Sequence, residues 1–385
     1  MAHHYTEEHG KQEVTLPEEF KCHMALFSDE EANAFPPSQE GDHKIELLET
    51  TPASFNCKVY LLSKAEQEAE DKFLDENLAK GYIVPSNSPY GFSTFMVPKK
   101  DSKEKRYIIN YRPLNAITRK DITPPPNLAQ CIKDLQGLEI FSKFDICWGY
   151  NNIRIREGDK WKGAFKTQRG LFEPKVMFFG MSNLPASFQQ FVNNKIMEAV
   201  YRKFSAKGWQ CLKNYMDDFG LGTTLADLDF HIEIINFLFD LLAEHGLYLK
   251  LSKSIFMQPQ MDFLGVRISK HGATIDLAKI AGIAKYPCNI LNLRQARGFL
   301  GVTSYHRMFV KNFSIIAAPI TQLTSKDVPF KWGPKQQAAQ EEIIQLITHP
   351  PVLVKLDPSR QFKLEVDASQ IGTGAILYQH DPPTK

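Results

Sequence analysis

Apolar positions along this chain follow two periods, and the change from one to the other marks out its elements. Between Ser63 and Lys80 the residues Ala65, Ala69, Phe73, Leu74 and Leu78 recur at helical spacing, and Gly81 supplies a C-terminal stop. Residues 184–201 carry Phe188, Phe191, Val192, Ile196 and Val200 on one helical face, and residues 228–245 predict another strong helix ended by Gly246. Further helical patterns occupy residues 128–135, 277–284, 293–309 and 336–347. Strands are predicted at residues 92–97 and 107–109, joined by a charged hairpin from Lys99 to Arg106, and again at 140–146, 248–251, 261–268, 362–366 and 374–378. Residues 1–60 are Pro-containing with few periodic apolar positions, which reads as a partly ordered leader. The pattern as a whole is that of an α+β protein of at least three units.

Within this pattern, Tyr215-Met216-Asp217-Asp218 is the most informative segment. Two adjacent carboxylates stand between the apolar runs Cys211-Leu212 and Phe219-Gly220-Leu221. Neighbouring side chains on a strand point to opposite faces, so both acids converge only at a tight turn. Burying two like charges side by side is costly unless a cation sits with them. Apolar strand, acidic turn, apolar strand is therefore the sequence form of a divalent-metal cradle; a solvated hairpin tip is the alternative. Asp145, in the aromatic strand Phe141-Ser142-Lys143-Phe144-Asp145-Ile146, supplies a third carboxylate if its strand lies beside the acidic hairpin. Three carboxylates suit Mg²⁺ or Mn²⁺, and two such ions about 3.5–4 Å apart can serve an in-line phosphoryl displacement. The basic hairpin offers cations for a triphosphate. Tyr150, five residues after Asp145, could floor a nucleotide sugar and exclude a 2′-hydroxyl, or could equally be a core aromatic.

Composition narrows the class. Hydrophobic residues make up 43% and charged residues 23%, as in ordinary globular protein, and no apolar run approaches a membrane span of ~20 residues. The N-terminus lacks a secretory signal, and six scattered cysteines without a CxxC or Cys/His cluster read as reduced thiols; both features point to an intracellular protein. Net charge is +2, but residues 1–60 hold 12 acidic and 4 basic side chains, and the remainder 32 and 42. The basic excess thus falls on the part carrying the candidate chemistry, which is compatible with a polyanionic partner.

Five blocks taken in order give a resemblance. They are Asn110-Tyr111-Arg112-Pro113-Leu114-Asn115; Phe141–Asp145; Phe179-Gly180-Met181-Ser182-Asn183-Leu184-Pro185-Ala186-Ser187-Phe188-Gln189; Tyr215–Asp218; and Phe263-Leu264-Gly265. The series resembles reverse transcriptases, above all those of gypsy-type long-terminal-repeat retrotransposons. It continues through Arg297-Gly298-Phe299-Leu300-Gly301 to Phe362-Lys363-Leu364-Glu365-Val366-Asp367-Ala368-Ser369, which is similar to the opening strand of the RNase H domain following the polymerase. The fold implied is a right-hand polymerase of fingers, palm and thumb followed by a truncated RNase H-like α/β unit. Its expected limits are a leader to residue 60, fingers and palm over 61–271, thumb over 272–325, and connection with incomplete RNase H-like domain over 326–385. The resemblance implies that Asp145, Asp217 and Asp218 are the catalytic, metal-binding acids. It implies that Lys99, Arg106, Tyr150, Phe179 and Gly180 hold the deoxynucleoside triphosphate, with Tyr150 as sugar gate. Pro185, Tyr215, Gly265 and Arg297 then contact an RNA template, a DNA primer or an RNA–DNA hybrid.

Departures from the family pattern are Phe178 where Pro is usual before Phe-Gly, Asn183-Leu184 before Pro185, and Asn110 where Asp is common. None removes a catalytic group. Asp367 stands without the other RNase H acids, so RNase H activity is expected to be absent. The expectation from sequence is an RNA-directed DNA polymerase working in a cytoplasmic retroelement particle or the nucleus. The alternative is a catalytically silent remnant that only binds nucleic acid.

Overall fold

The structure, a computed structural model, describes residues 15–39, 41–98, 105–147, 149–353, 361–368 and 373–379. It contains two compact units: one formed by the residues up to Cys131 with Ile140–Gln258, the other by Ile132–Glu139 with the residues from Pro259 onward.

At the heart of the first unit is a four-stranded antiparallel sheet. Its strands are β1 (Ile140–Asp145), β2 (Leu212–Tyr215), β3 (Asp218–Thr223) and β4 (Ile255–Gln258), in the order β4-β1-β3-β2. Alternation along β1 sends Phe141 and Phe144 in opposite directions from their neighbours, and both are fully buried. On the apolar face the rings of Phe144, Phe239 and Phe256 meet at centroid distances of 5.0 and 5.5 Å. Phe239 comes from the helix Leu228–Glu244, whose apolar stripe of Ile234, Ile235, Leu238 and Leu242 is completely buried against this sheet. That helix also contributes His231, whose Nε2 lies 2.8 Å from Ser142 Oγ on β1 and whose Nδ1 lies 2.9 Å from Thr223 Oγ1 on β3. Burial holds the His231 pKa down at about 4, so the ring is a neutral pin between two strands.

The helix predicted over residues 184–201 begins as expected at Leu184–Phe191, with a proline in its first turn, but runs further. It widens into a π-helical stretch at Val192–Met197 and continues as Glu198–Cys211, with a break at Ser205 (φ 56°). Cys211, read from sequence as part of the apolar run before the acidic turn, therefore ends this helix. Of the strand expected at 248–251 only a single bridge between Ile146 and Leu249 forms, because the chain turns at Leu251–Lys253. The two-stranded ribbon Thr94–Pro98 with Lys105–Ile109 matches the sequence reading, and the helix Lys64–Ala79 lies on it through a 2.8 Å ion pair between Glu66 and Lys105. A capping box between Ser63 and Glu66 starts that helix.

The segment expected to be a leader is built into this unit. Residues Glu18–Phe27 form a 3₁₀ helix, and Phe20, fully buried, stacks on Phe256 at 5.6 Å and meets Phe239 edge-on at 5.8 Å. Leu26 and Ile45 are buried as well. Its acidic, aperiodic composition hides these few anchors, because a 3₁₀ turn has no amphipathic stripe to read.

In the second unit, the strands Gln260–Phe263, Val266–Ser269 and Gly272–Ile275 form an antiparallel sheet. It is followed by helices Leu277–Ala284, Leu293–Tyr305, Phe313–Gln322 and Pro334–Thr348, and by the hairpin Phe362–Ala368 with Thr373–Gln379. The three-stranded sheet lies wholly in this unit, and a single bridge joins its Ala273 to Leu353. All six cysteines are free, and among the described residues no helix is long and apolar enough to cross a membrane.

If Phe20 anchors the apolar face of the sheet, Phe20→Ala should destabilise the fold by about 3–5 kcal/mol. Denaturant unfolding monitored by fluorescence measures this; a loss below ~1 kcal/mol would show the N-terminal segment to be peripheral.

Candidate active site

β1 and β3 pair in a register that places Asp218 directly opposite Asp145, with Phe219 opposite Phe144. The period of two then puts Asp145, Asp218 and Lys143 on one face, and Phe144 and Phe219 in the core. Met216 and Asp217 make the two-residue turn between β2 and β3. Met216 has φ 56°, the left-handed region that a hairpin turn requires and that a non-glycine residue enters only at a cost. The Ile146 N–H donates to the Asp217 carbonyl at 2.9 Å, which fastens the turn to the end of β1. All three acids predicted from sequence are thus gathered at one end of one sheet.

Two lysines stand among them. Lys253 Nζ is 3.0 Å from both carboxylate oxygens of Asp145, and Lys143 Nζ is 3.5 Å from Asp218 Oδ1. The second contact is a charge contact only: Asp218 Oδ1 is buried and accepts no hydrogen bond. Burial raises the Asp217 carboxyl, with Asp145 adding to it. Burial raises the Asp218 carboxyl too, with Lys143 opposing and the other two acids reinforcing. For Lys253, burial pulls the pKa down, but the pairing with Asp145 outweighs it and the net shift is upward. Among the described residues no three His, Cys, Asp or Glu side chains are grouped closely enough to enclose a metal ion, and Asp145 has both oxygens on Lys253. The donor chemistry nonetheless fits a hard divalent cation. The set is all carboxylate oxygen, and one buried oxygen lacks a donor that a cation would replace.

Around the acids, Gly149 allows a close approach that a side chain would block: a Cβ there would lie 3.3 Å from Asp217 Cβ and from the Phe188 ring. Tyr150 follows, half-buried and edge-on to Phe179 at 5.3 Å and Phe188 at 5.6 Å. Burial and then the nearby Asp217 raise its hydroxyl pKa, which ties Tyr150 electrostatically to the acidic turn. Phe179 is 61% exposed, and Gly180 adopts φ 108°, with a virtual Cβ 3.3 Å from the Ile109 carbonyl. Asn115 holds this loop, donating to the Gly180 carbonyl at 2.7 Å and accepting from the Ser182 N–H at 2.9 Å.

The remaining sequence candidates are distributed as follows. Arg106 sits on the ribbon opposite Val97, whereas Lys99 lies outside the described residues. Pro185 starts its helix, and Tyr215 ends β2 opposite Asp218. Gly265 (φ 70°) and Leu264 (φ 52°) form the turn of a hairpin in the second unit. Within that unit the Tyr305 hydroxyl donates to the Leu264 carbonyl, and Arg297 is exposed with one guanidinium N–H on the Thr324 carbonyl at 3.1 Å. Asp367 is paired opposite Gly374 in the C-terminal hairpin.

Sequence reasoning missed Lys143, Lys253, Gln189 and Asn214. Lys143 was legible, since it shares the Asp145 face at a spacing of two; Lys253 has no local signal, because only tertiary folding brings it to Asp145. A recess of about 940 Å³ in the first unit was also not anticipated. It is lined by His43, Arg119, Lys120, Asn183, Gln190 and Lys195 among others, on the helix that Pro185 begins.

The raised Asp218 carboxyl has a consequence for stability. Folding favours its neutral form, so the ionised group opposes folding at neutral pH and ceases to do so as pH falls through its folded-state pKa. Asp218→Asn should therefore raise the melting temperature at pH 7 in chelator, with the gain shrinking toward pH 4. Scanning calorimetry at both pH values measures this, and a lower melting temperature at pH 7 would contradict the electrostatic account.

Comparison with known proteins agrees with this arrangement. Residues 97–268 match the family described as reverse transcriptase (RNA-dependent DNA polymerase), and residues 332–385 match the RNase H-like domain found in reverse transcriptase. The transposon Tf2-3 and Tf2-7 polyproteins of Schizosaccharomyces pombe are each 32% identical over 376 residues, covering 96% of this chain and 27% of theirs. The chain therefore spans about a quarter of the length of these curated relatives. Among solved structures, a foamy viral protease-reverse transcriptase in complex with double-stranded DNA superposes with a TM-score of 0.76 at 21% identity, over 95% of this chain and 64% of that one. Another, in complex with RNA/DNA hybrid, gives 0.71 at 20%, over 95% and 51%. These likenesses carry the polymerase fold, and the domain matches carry the family. The chain thus carries a reverse transcriptase domain followed by an RNase H-like domain of the kind found in reverse transcriptase, and it is similar to the Tf2 polyproteins of gypsy-type long-terminal-repeat retrotransposons.

Proposed function

We propose that this chain is an RNA-directed DNA polymerase that adds deoxynucleotides to a primer 3′-hydroxyl. The observation carrying this reading is the register of β1 with β3, which sets Asp145 opposite Asp218 beside the turn that holds Asp217. In the reaction the primer 3′-oxygen forms a bond to the α-phosphorus while the bond to pyrophosphate breaks. Asp145, Asp217 and Asp218 would hold Mg²⁺, or Mn²⁺, which when bound supplies charge neutralisation and an activated nucleophile.

The chain's other residues position the substrates. Tyr150, braced by Phe179 and Phe188 next to Asp217, floors the sugar and excludes a 2′-hydroxyl. Phe179 and Gly180, steadied by Asn115, form one wall of the nucleotide site, and Lys99 and Arg106 meet the triphosphate. Pro185 and Tyr215 border template and primer, and Gly265 and Arg297 hold an RNA template–DNA primer or RNA–DNA hybrid duplex by its backbone. In functional terms, residues 61–271 act as fingers and palm and 272–325 as thumb. The setting is a cytoplasmic retroelement particle or the nucleus.

The contact of Lys253 with both oxygens of Asp145 favours a second reading, a chain that binds nucleic acid without turnover. Primer extension on an RNA template in Mg²⁺ or Mn²⁺ separates the two. The polymerase reading expects extension, and expects Asp217→Asn with Asp218→Asn to reduce it to background. Tight primer–template binding without incorporation would establish the alternative, and extension surviving the double substitution would sink the catalytic assignment. For the sugar gate, Tyr150→Val should raise ribonucleotide incorporation relative to deoxynucleotide by at least about tenfold in single-nucleotide kinetics. Unchanged discrimination would refute that role.

A further inference from the structure

The acidic turn is gripped by two buried side-chain amides that belong to none of the roles above. Gln189, 1% exposed on the helix that Pro185 starts, accepts a hydrogen bond from the Met216 N–H at 2.8 Å. Asn214, 5% exposed at the end of β2, donates to the Met216 carbonyl at 2.8 Å and makes a longer contact of 3.4 Å to the Asp218 carbonyl. The two amides are themselves joined, Gln189 Nε2 donating to Asn214 Oδ1 at 2.6 Å and to Asn193 Oδ1 at 2.9 Å. Both backbone groups of the one residue with positive φ in the turn are thereby satisfied by side chains.

The orientation of this ring is forced. An N–H can only donate, so the atom of Gln189 facing Met216 is the oxygen; a carbonyl can only accept, so the atom of Asn214 facing Met216 is the nitrogen. That leaves Gln189 nitrogen against Asn214 oxygen, as found. A hydrophobic residue at either site would leave a buried backbone group without a partner. Asn193 lies in the π-helical stretch, so the widened turn of the helix takes part in the same network.

We propose that Gln189 and Asn214 are positioning residues that hold Met216 in its left-handed conformation and so aim the Asp217 carboxylate at the shared site with Asp145 and Asp218. This rests on the polymerase reading for its effect on turnover, but not for its effect on the turn itself. Glycine enters the left-handed region without the penalty that Met216 bears, so a glycine at that position would need the clamp less.

The test uses the full chain with Gln189→Met, Asn214→Leu and the milder Gln189→Glu, each alone and combined with Met216→Gly. Hydrogen exchange of the Met216 amide should accelerate about tenfold or more in Gln189→Met, with exchange along Phe219–Leu221 unchanged. Mn²⁺ binding by calorimetry should weaken several-fold, turnover should fall by about tenfold or more, and primer–template KM should stay within about twofold. In the Gln189→Met background, Met216→Gly should recover part of the Mn²⁺ affinity that it does not improve in the unaltered chain. Should Gln189→Met fail to fold, Asn214→Leu, which removes the donor to the Met216 carbonyl, gives the affinity and turnover readouts, while Gln189→Glu, which keeps the acceptor for Met216, should leave Met216 exchange close to that of the unaltered chain. Unchanged Mn²⁺ affinity in Asn214→Leu, or unchanged Met216 exchange and Mn²⁺ affinity in Gln189→Met, would overturn the proposal. An unaltered chain that binds Mn²⁺ and incorporates nothing would fail the polymerase reading alone, because exchange and affinity still decide the clamp.

Discussion

Everything distinctive about this molecule depends on one strand pairing, β1 against β3 in antiparallel register. A slip of one residue would turn Phe144 and Phe219 outward and drive Asp145 and Asp218 into the aromatic core. The register is held on the face that the helix Leu228–Glu244 covers. Phe144, Phe239 and Phe256 close the apolar face, and neutral His231 bridges Ser142 and Thr223 across the two strands. Carboxylate geometry and core packing are therefore one constraint, with the acids placed by the same alternation that buries the rings.

The acids occupy that position against electrostatic resistance. Two carboxyls are raised chiefly by burial, and a buried oxygen of Asp218 goes without a hydrogen bond. Lys143 beside Asp218 and Lys253 beside Asp145 offset part of the repulsion. A chain selected for stability alone would place neutral side chains here, and it is this electrostatic cost that a bound cation would relieve.

How much of this the sequence showed depends on how local each signal is. The acids, Tyr150 and the long helices were legible because each rests on residues adjacent in the chain or at a fixed period. The ribbon of Thr94–Pro98 and Lys105–Ile109 was likewise readable from its flanking strands. Phe20 was not, since its partners Phe239 and Phe256 lie more than two hundred residues away and its own segment has no period. Nor was the continuation of the helix to Cys211, because Gly208 and the β-prone residues after it favour a strand until the palm packing overrides them. Gln189 closes one of the family blocks and Asn214 directly precedes another, but only the fold shows them facing the same backbone.

The place of Phe20 also constrains the order in which the protein can form. Its binding surface is not complete until β4 (Ile255–Gln258) has been synthesised and has joined β1. A nascent chain must carry Phe20 without these partners while most of the first unit emerges. Contacts of such long sequence separation are late and slow to form, and exposed rings invite misassociation in the interval. Folding of the four-stranded sheet is thus timed by the arrival of its edge strand, and Phe20, made well before that strand, is among the last residues to be placed.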